Sequence, residues 1–158
     1  MSRGSVSPRL GAALVFFTSA EVLVLEILAG RLLAPYAGVT LETFTAIIGT
    51  ILAGISIGAF VGGRMADRHD PRRLIPPALI LGGALGIGAV PLVRLLGPGL
   101  AGNVVGLVLL VAVAALPAAA VLSSVTPMVV KVLLADLADT GHVVGRMSAV
   151  GTGGSERR

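Results

Sequence analysis

Three stretches of this 158-residue chain, residues 43–63, 74–93 and 95–130, contain no charged side chain. Each is long enough to cross the hydrocarbon core of a bilayer, which takes about 20 apolar residues in a helix. A water-soluble body of this size has no interior large enough to hide all three. Hydrophobic residues make up 55% of the chain and charged residues 13%, against roughly a quarter charged in soluble domains, and the mean hydropathy is +0.98. The expected fold class is therefore all-α: a polytopic membrane protein of about four transmembrane helices.

The first span is expected over residues 10–34, ended by Pro35 and Gly38. The second covers 43–66 and the third 74–96. Gly97-Pro98-Gly99 reads as a turn, and the fourth span starts beyond Asn103 and reaches at least Leu116. Pro117 and Pro127 are expected to kink or end it, because each removes a backbone donor and crowds the preceding turn. Three regions follow: a short N-terminal segment (1–9), a four-helix membrane domain (10–130) and a polar C-terminal segment with a flexible tail (131–158). Arg3 and Arg9, the apolar run after them and Thr18-Ser19-Ala20 imitate a secretory signal. The apolar character resumes from Val22 to Leu33, however, so an uncleaved first span is expected.

Basic residues favour the cytoplasmic side. Arg3, Arg9, Arg64, Arg68, Arg72, Arg73, Lys131 and Arg146 fall at one set of helix ends, and only Arg31 and Arg94 at the other. This predicts a multi-pass protein of the cell membrane with both termini cytoplasmic. The net charge of +4 and the pI near 11.1 do not signal nucleic acid, since the basic residues flank apolar runs and stacking aromatics are scarce. With no cysteine and two histidines, His69 and His142, far apart in polar connections, no metal site or cofactor is expected. Glycine runs at 83–88 and 151–154 neither follow a strand nor open a helix, as a dinucleotide loop would.

Gly54, Gly58 and Gly62 recur every four residues and form one smooth strip on the second span. Such strips let helix backbones approach closely in lipid, as general packing or as a dimerisation seam. Gly82 with Gly86, and Gly102 with Gly106, repeat the spacing. Glu21, Glu26 and Arg31 form a candidate intramembrane polar site on the first span. A charged group at the bilayer centre costs roughly 2.5–3.5 kcal/mol on insertion scales, so Glu21 must be protonated, paired or facing a wet interior. The alternatives are a proton or cation site and a hydrogen-bonded packing residue. Glu26 and Arg31, five positions and about 140° apart on a helix, are poorly placed to pair with each other, and Arg31 is expected to snorkel outwards.

Gly63, Asp67, Arg68, Arg72 and Arg73 form a pattern similar to the cytoplasmic loop signature of major facilitator transporters, between their second and third helices. His69-Asp70-Pro71 departs from that family's shorter spacing. The glycine would permit close helix approach, and Asp67 would meet arginines or a helix N-terminus. A longer run resembles the N-terminal membrane domain of fused major-facilitator/spermidine-synthase-like proteins. It comprises Glu26-Ile-Leu-Ala-Gly-Arg31-Leu-Leu-Ala-Pro35-Tyr-Ala-Gly38, Thr45-Ala-Ile-Ile-Gly49, Leu52-Ala-Gly54 and Gly62-Gly-Arg-Met-Ala-Asp67-Arg68. Thr126-Pro127, Gly145-Arg146 and Ser148 extend the resemblance over roughly residues 10–150. It implies a partial major-facilitator-like bundle acting as a membrane anchor or partner bundle. The aminopropyltransferase domain that makes polyamines in that family has no counterpart here, so no enzyme activity is expected. Partners would be the lipid bilayer and a second copy or another membrane bundle. A self-sufficient small proton-coupled transporter, or a membrane subunit of a separately encoded aminopropyltransferase, are the rival readings.

Overall fold

The computed structural model describes the backbone of residues 7–100 and 102–153, and the side chains of these except Pro8 and residues 136–153. The elements are α1 (Pro8–Ala37), α2 (Leu41–Arg68), α3 (Pro71–Leu100), α4 (Val104–Ala114) and α5 (Leu116–Gly153), with no strand among the described residues. Four helical stretches are long and apolar enough to cross a membrane: Arg9–Ala37, Leu41–Arg68, Pro71–Leu100 and Leu116–Ala135. The all-helical, four-span expectation holds.

Local chemistry sets the helix ends. Ser7 caps α1 by accepting from the Leu10 N–H at 3.3 Å, with Pro8 in the first turn, where a missing N–H costs nothing. Pro35 sits in the last turn, and α1 stops at Gly38, whose φ of +72° belongs to the region that favours glycine. Two residues on, Thr40 caps α2 by accepting from the Thr43 N–H at 3.2 Å. Hydroxyls on lipid-facing turns satisfy themselves on their own helix: Thr45 Oγ1 donates to the Leu41 carbonyl at 2.8 Å and Ser56 Oγ to that of Leu52 at 2.9 Å.

Gly97-Pro98-Gly99 does not turn. It lies inside α3, which runs to Leu100 and contains Pro76, Pro77, Pro91 and Pro98. Proline fixes φ near the helical value, and in lipid the continuing helix satisfies the surrounding backbone better than an open turn would. Gly97 is held against the Tyr36 ring, which would stand 3.0 Å from an added Cβ. The chain turns only after Leu100, and Asn103 caps α4 by accepting from the Gly106 N–H at 2.8 Å.

The fourth crossing is a path of two helices, α4 and the start of α5, interrupted at Ala115. The Ala115 N–H donates to Val111 O at 2.8 Å and the Ala119 N–H to Ala115 O at 3.0 Å, so hydrogen bonding passes through the joint. Pro117, two residues on, has no N–H to offer the turn before it, which accounts for the interruption between α4 and α5. Pro127 neither ends nor interrupts α5. The backbone remains helical to Gly153, so residues 131–153, expected to be a polar segment passing into a tail, continue α5. The side chains of Asp136, Asp139, His142, Gly145, Arg146 and Ser148, and all of residues 1–6 and 154–158, lie outside what is described.

The core sits around α5, which packs against α1, α2 and α3. Ala118, Ala119, Leu122 and Val125 are completely buried or nearly so. By contrast Phe16, Phe17, Ile57, Phe60, Ile80 and Ile87 are exposed on the outside of the bundle. Large apolar groups thus stand on the outside as well as within, which a lipid solvent permits.

Candidate functional site

The glycine strip of α2 meets α5, and the two helices run in the same direction. An added Cβ at Gly54 would lie 3.0 Å from the Leu116 carbonyl oxygen and 3.1 Å from Ala119 Cβ. At Gly58 it would run into the Ala120 backbone, and at Gly62 into Ser124, whose Cβ would be 2.7 Å away. All three glycines are buried. The strip is thus consumed within the chain rather than left as a free seam. Its complement, Leu116, Ala120 and Ser124, repeats the spacing of four, a signal in the sequence that passes unnoticed because none of the three is glycine. Gly82 of α3 packs against Leu122, whereas nothing lies within 4 Å of a Cβ placed at Gly102. Gly106 abuts the Leu100 carbonyl.

At the end of this seam Lys131 Nζ donates to Asp67 Oδ1 at 2.6 Å, joining α2 to α5 across 64 residues of sequence. Asp67 was expected to meet arginines or a helix N-terminus; in the structure its partner is this lysine. Gly63 was expected to allow close helix approach, yet its Cβ position is open; Gly62 makes the contact instead. Around the bend from α2 to α3, the His69 N–H donates to Met65 O at 2.9 Å, and Asp70 Oδ1 accepts from the Arg72 N–H at 3.1 Å. Arg64 stands 6.0 Å above the centre of the Phe60 ring, within cation–π range. Arg68, in the last turn of α2, faces the negative end of the helix dipole, and Arg73 is exposed.

Beside the Asp67–Lys131 pair, a groove of about 720 Å³ opens between α1, α2 and α5. Its walls are largely apolar, with Ser19, Ser123 and Thr126 contributing hydroxyls and the ion pair closing one end. Thr18, buried at its edge, turns its hydroxyl back to Leu14 O at 2.9 Å.

The intramembrane charges separate into two places. Glu21 is exposed and lies along α3, with Oε1 3.9 Å from a Cβ placed at Gly83 and 4.0 Å from one at Gly86. Glu26 and Arg31 face the other way, lining a groove of about 510 Å³ between α1 and the first half of α2, with Gly30, Phe44 and Ile47. The three residues therefore do not form one site. Among the described residues neither Glu26 nor Arg31 has an ion-pair partner, and no cluster of three or more metal-binding side chains occurs.

Compared with protein-family models, curated proteins and solved structures, the chain matches none. Four apolar helices with many exposed large apolar side chains make the chain compatible with a multi-pass integral membrane protein.

Proposed function

We propose that the chain is a transporter-like membrane bundle of the major-facilitator/spermidine-synthase-like kind, acting as an anchor or partner bundle and performing no chemistry itself. The observation that supports this reading is Asp67. In the sequence it belongs to a loop pattern similar to that of major facilitators, and in space it ties the end of α2 to Lys131 on α5. The pattern thus sits at a helix junction, where an exposed polar contact adds to the glycine seam that holds α2 against α5. Both termini are cytoplasmic in this reading, from the distribution of basic residues.

Reconstitution into liposomes with an imposed pH gradient tests it, with polyamines and small organic cations assayed for uptake. The chain alone is expected to give no uptake, and the purified chain no aminopropyl transfer to putrescine. Uptake by the chain alone that Glu21→Gln abolishes would replace this reading with a self-sufficient proton-coupled transporter. That rival draws on one observation, the carboxyl of Glu21 held within reach of two glycines midway along α3.

A further inference from the structure

Glu26 and Arg31 carry opposite charges, line the same groove and do not satisfy each other. At 1.5 Å per residue, Arg31 lies about 9 Å from the Ala37 end of α1 and Glu26 about 16 Å from it. Arg31 is exposed and nearer the Gly38 end of the groove, while Glu26 is half-buried and further along it. Between them Gly30 supplies no side chain, leaving room in front of the Phe44 ring, 3.8 Å from a Cβ placed there. Ile47 is buried behind and Gly38 and Val39 form the rim. The result is an apolar slot with an anionic group further along and a cationic group nearer the helix end, neither with a counter-ion among the described residues.

We propose that this slot binds a small free zwitterion of the amino-acid type, its ammonium on Glu26, its carboxylate on Arg31 and an apolar substituent against Phe44 and Ile47. Guanidinium groups hold carboxylates through two parallel hydrogen bonds, and a half-desolvated carboxylate is stabilised most by a matched cation in direct contact. The order of the charges selects the source. A phospholipid presents its anionic phosphate nearer the hydrocarbon and its ammonium at the same level or further out. Here the group that binds a cation lies further from the helix end than the group that binds an anion, the reverse of the order a lipid headgroup presents, so a free zwitterion fits and a headgroup does not. The inference requires only that the chain spans a bilayer; it is independent of the family reading, and its failure would leave that reading untouched.

The test is equilibrium binding of tritiated L-leucine and L-phenylalanine to the full chain in phosphatidylcholine nanodiscs. Saturable binding of at least one is expected, with Glu26→Gln and Arg31→Gln each weakening it by about tenfold or more, the equivalent of one charge-assisted hydrogen bond. Glu26→Asp, which keeps the charge, should retain most of it. Leucine amide and 4-methylpentanoate, each with one of the two charges, should compete poorly. No saturable binding by a chain with an intact helical circular-dichroism spectrum overturns the proposal. So does binding that both neutralising variants leave unchanged. Loss of amino-acid binding when phosphatidylethanolamine replaces phosphatidylcholine would assign the slot to a lipid headgroup instead. Strong thermal coupling between Glu26→Gln and Arg31→Gln without ligand would show that the two residues serve each other, and would also overturn it.

Discussion

Gly58 of α2 and Ala120 of α5 touch backbone to backbone, leaving no room on Gly58 for a methyl group. Relief requires moving one helix, because the obstructing atoms are main-chain atoms. Gly58→Ala should therefore destabilise the bundle by about 1–3 kcal/mol, the usual cost of overpacking, and Gly58→Leu by more. Gly49→Ala on the same helix, where the Cβ position is open, should change stability by less than about 1 kcal/mol. Thermal unfolding of the three variants in one detergent is the measurement; equal effects at Gly58 and Gly49 would contradict the packing described.

The parallel course of α2 and α5 predicts a cross-linking pattern. With Asp67→Cys and Lys131→Cys combined, a short bifunctional thiol reagent should join the two positions in high yield. Asp67→Cys with Gly102→Cys should give none, since Gly102 lies beyond the opposite end of the fourth crossing. The chain has no native cysteine, so the background is clean. Protease cleavage between α3 and α4 before electrophoresis makes the linkage visible.

Asn103 is the cap of α4, and its Oδ1 is the acceptor for the Gly106 N–H. Asn103→Ala leaves that donor unpaired and should cost about 1 kcal/mol, whereas Asn103→Asp, which keeps the acceptor, should cost much less. Unfolding midpoints that fail to separate the two substitutions would remove the cap from the account of how α4 begins.

Orientation is testable with an impermeant maleimide on intact cells. A cysteine at Gly102 should label from outside, and cysteines at Ser5 or Ser155 only after lysis. Labelling of either terminal position in intact cells would reverse the orientation inferred from the basic residues.

The spans were legible because lipid imposes one rule along the whole chain: a helix about 20 residues long, predominantly apolar and with few charges. The interruption beside Pro117 was legible for a local reason, a missing donor. Pro98 misled because turn chemistry learned from soluble proteins assumes water is there to satisfy an opened backbone. The Asp67–Lys131 contact could not be read at all. It depends on the register of α2 against α5, which is fixed by how Gly58 fits Ala120 and Gly62 fits Ser124, and local patterning does not carry that fit. Likewise Glu21, Glu26 and Arg31 look like one group along the sequence, yet Glu21 lies along α3 while Glu26 and Arg31 line a groove against α2, a division set by which helices pack beside α1 and not by spacing alone.

The central place of α5 has a consequence in time. Synthesis delivers α1, α2 and α3 to the membrane before the helix that all three pack against exists. Until Leu116 and the residues after it emerge, the glycine face of α2 has no mate within the chain and must be shielded by lipid or by the insertion machinery. Assembly is thus governed by the arrival of the fourth crossing, and a ribosome stalled before Leu116 would leave three inserted helices with little reason to stay together.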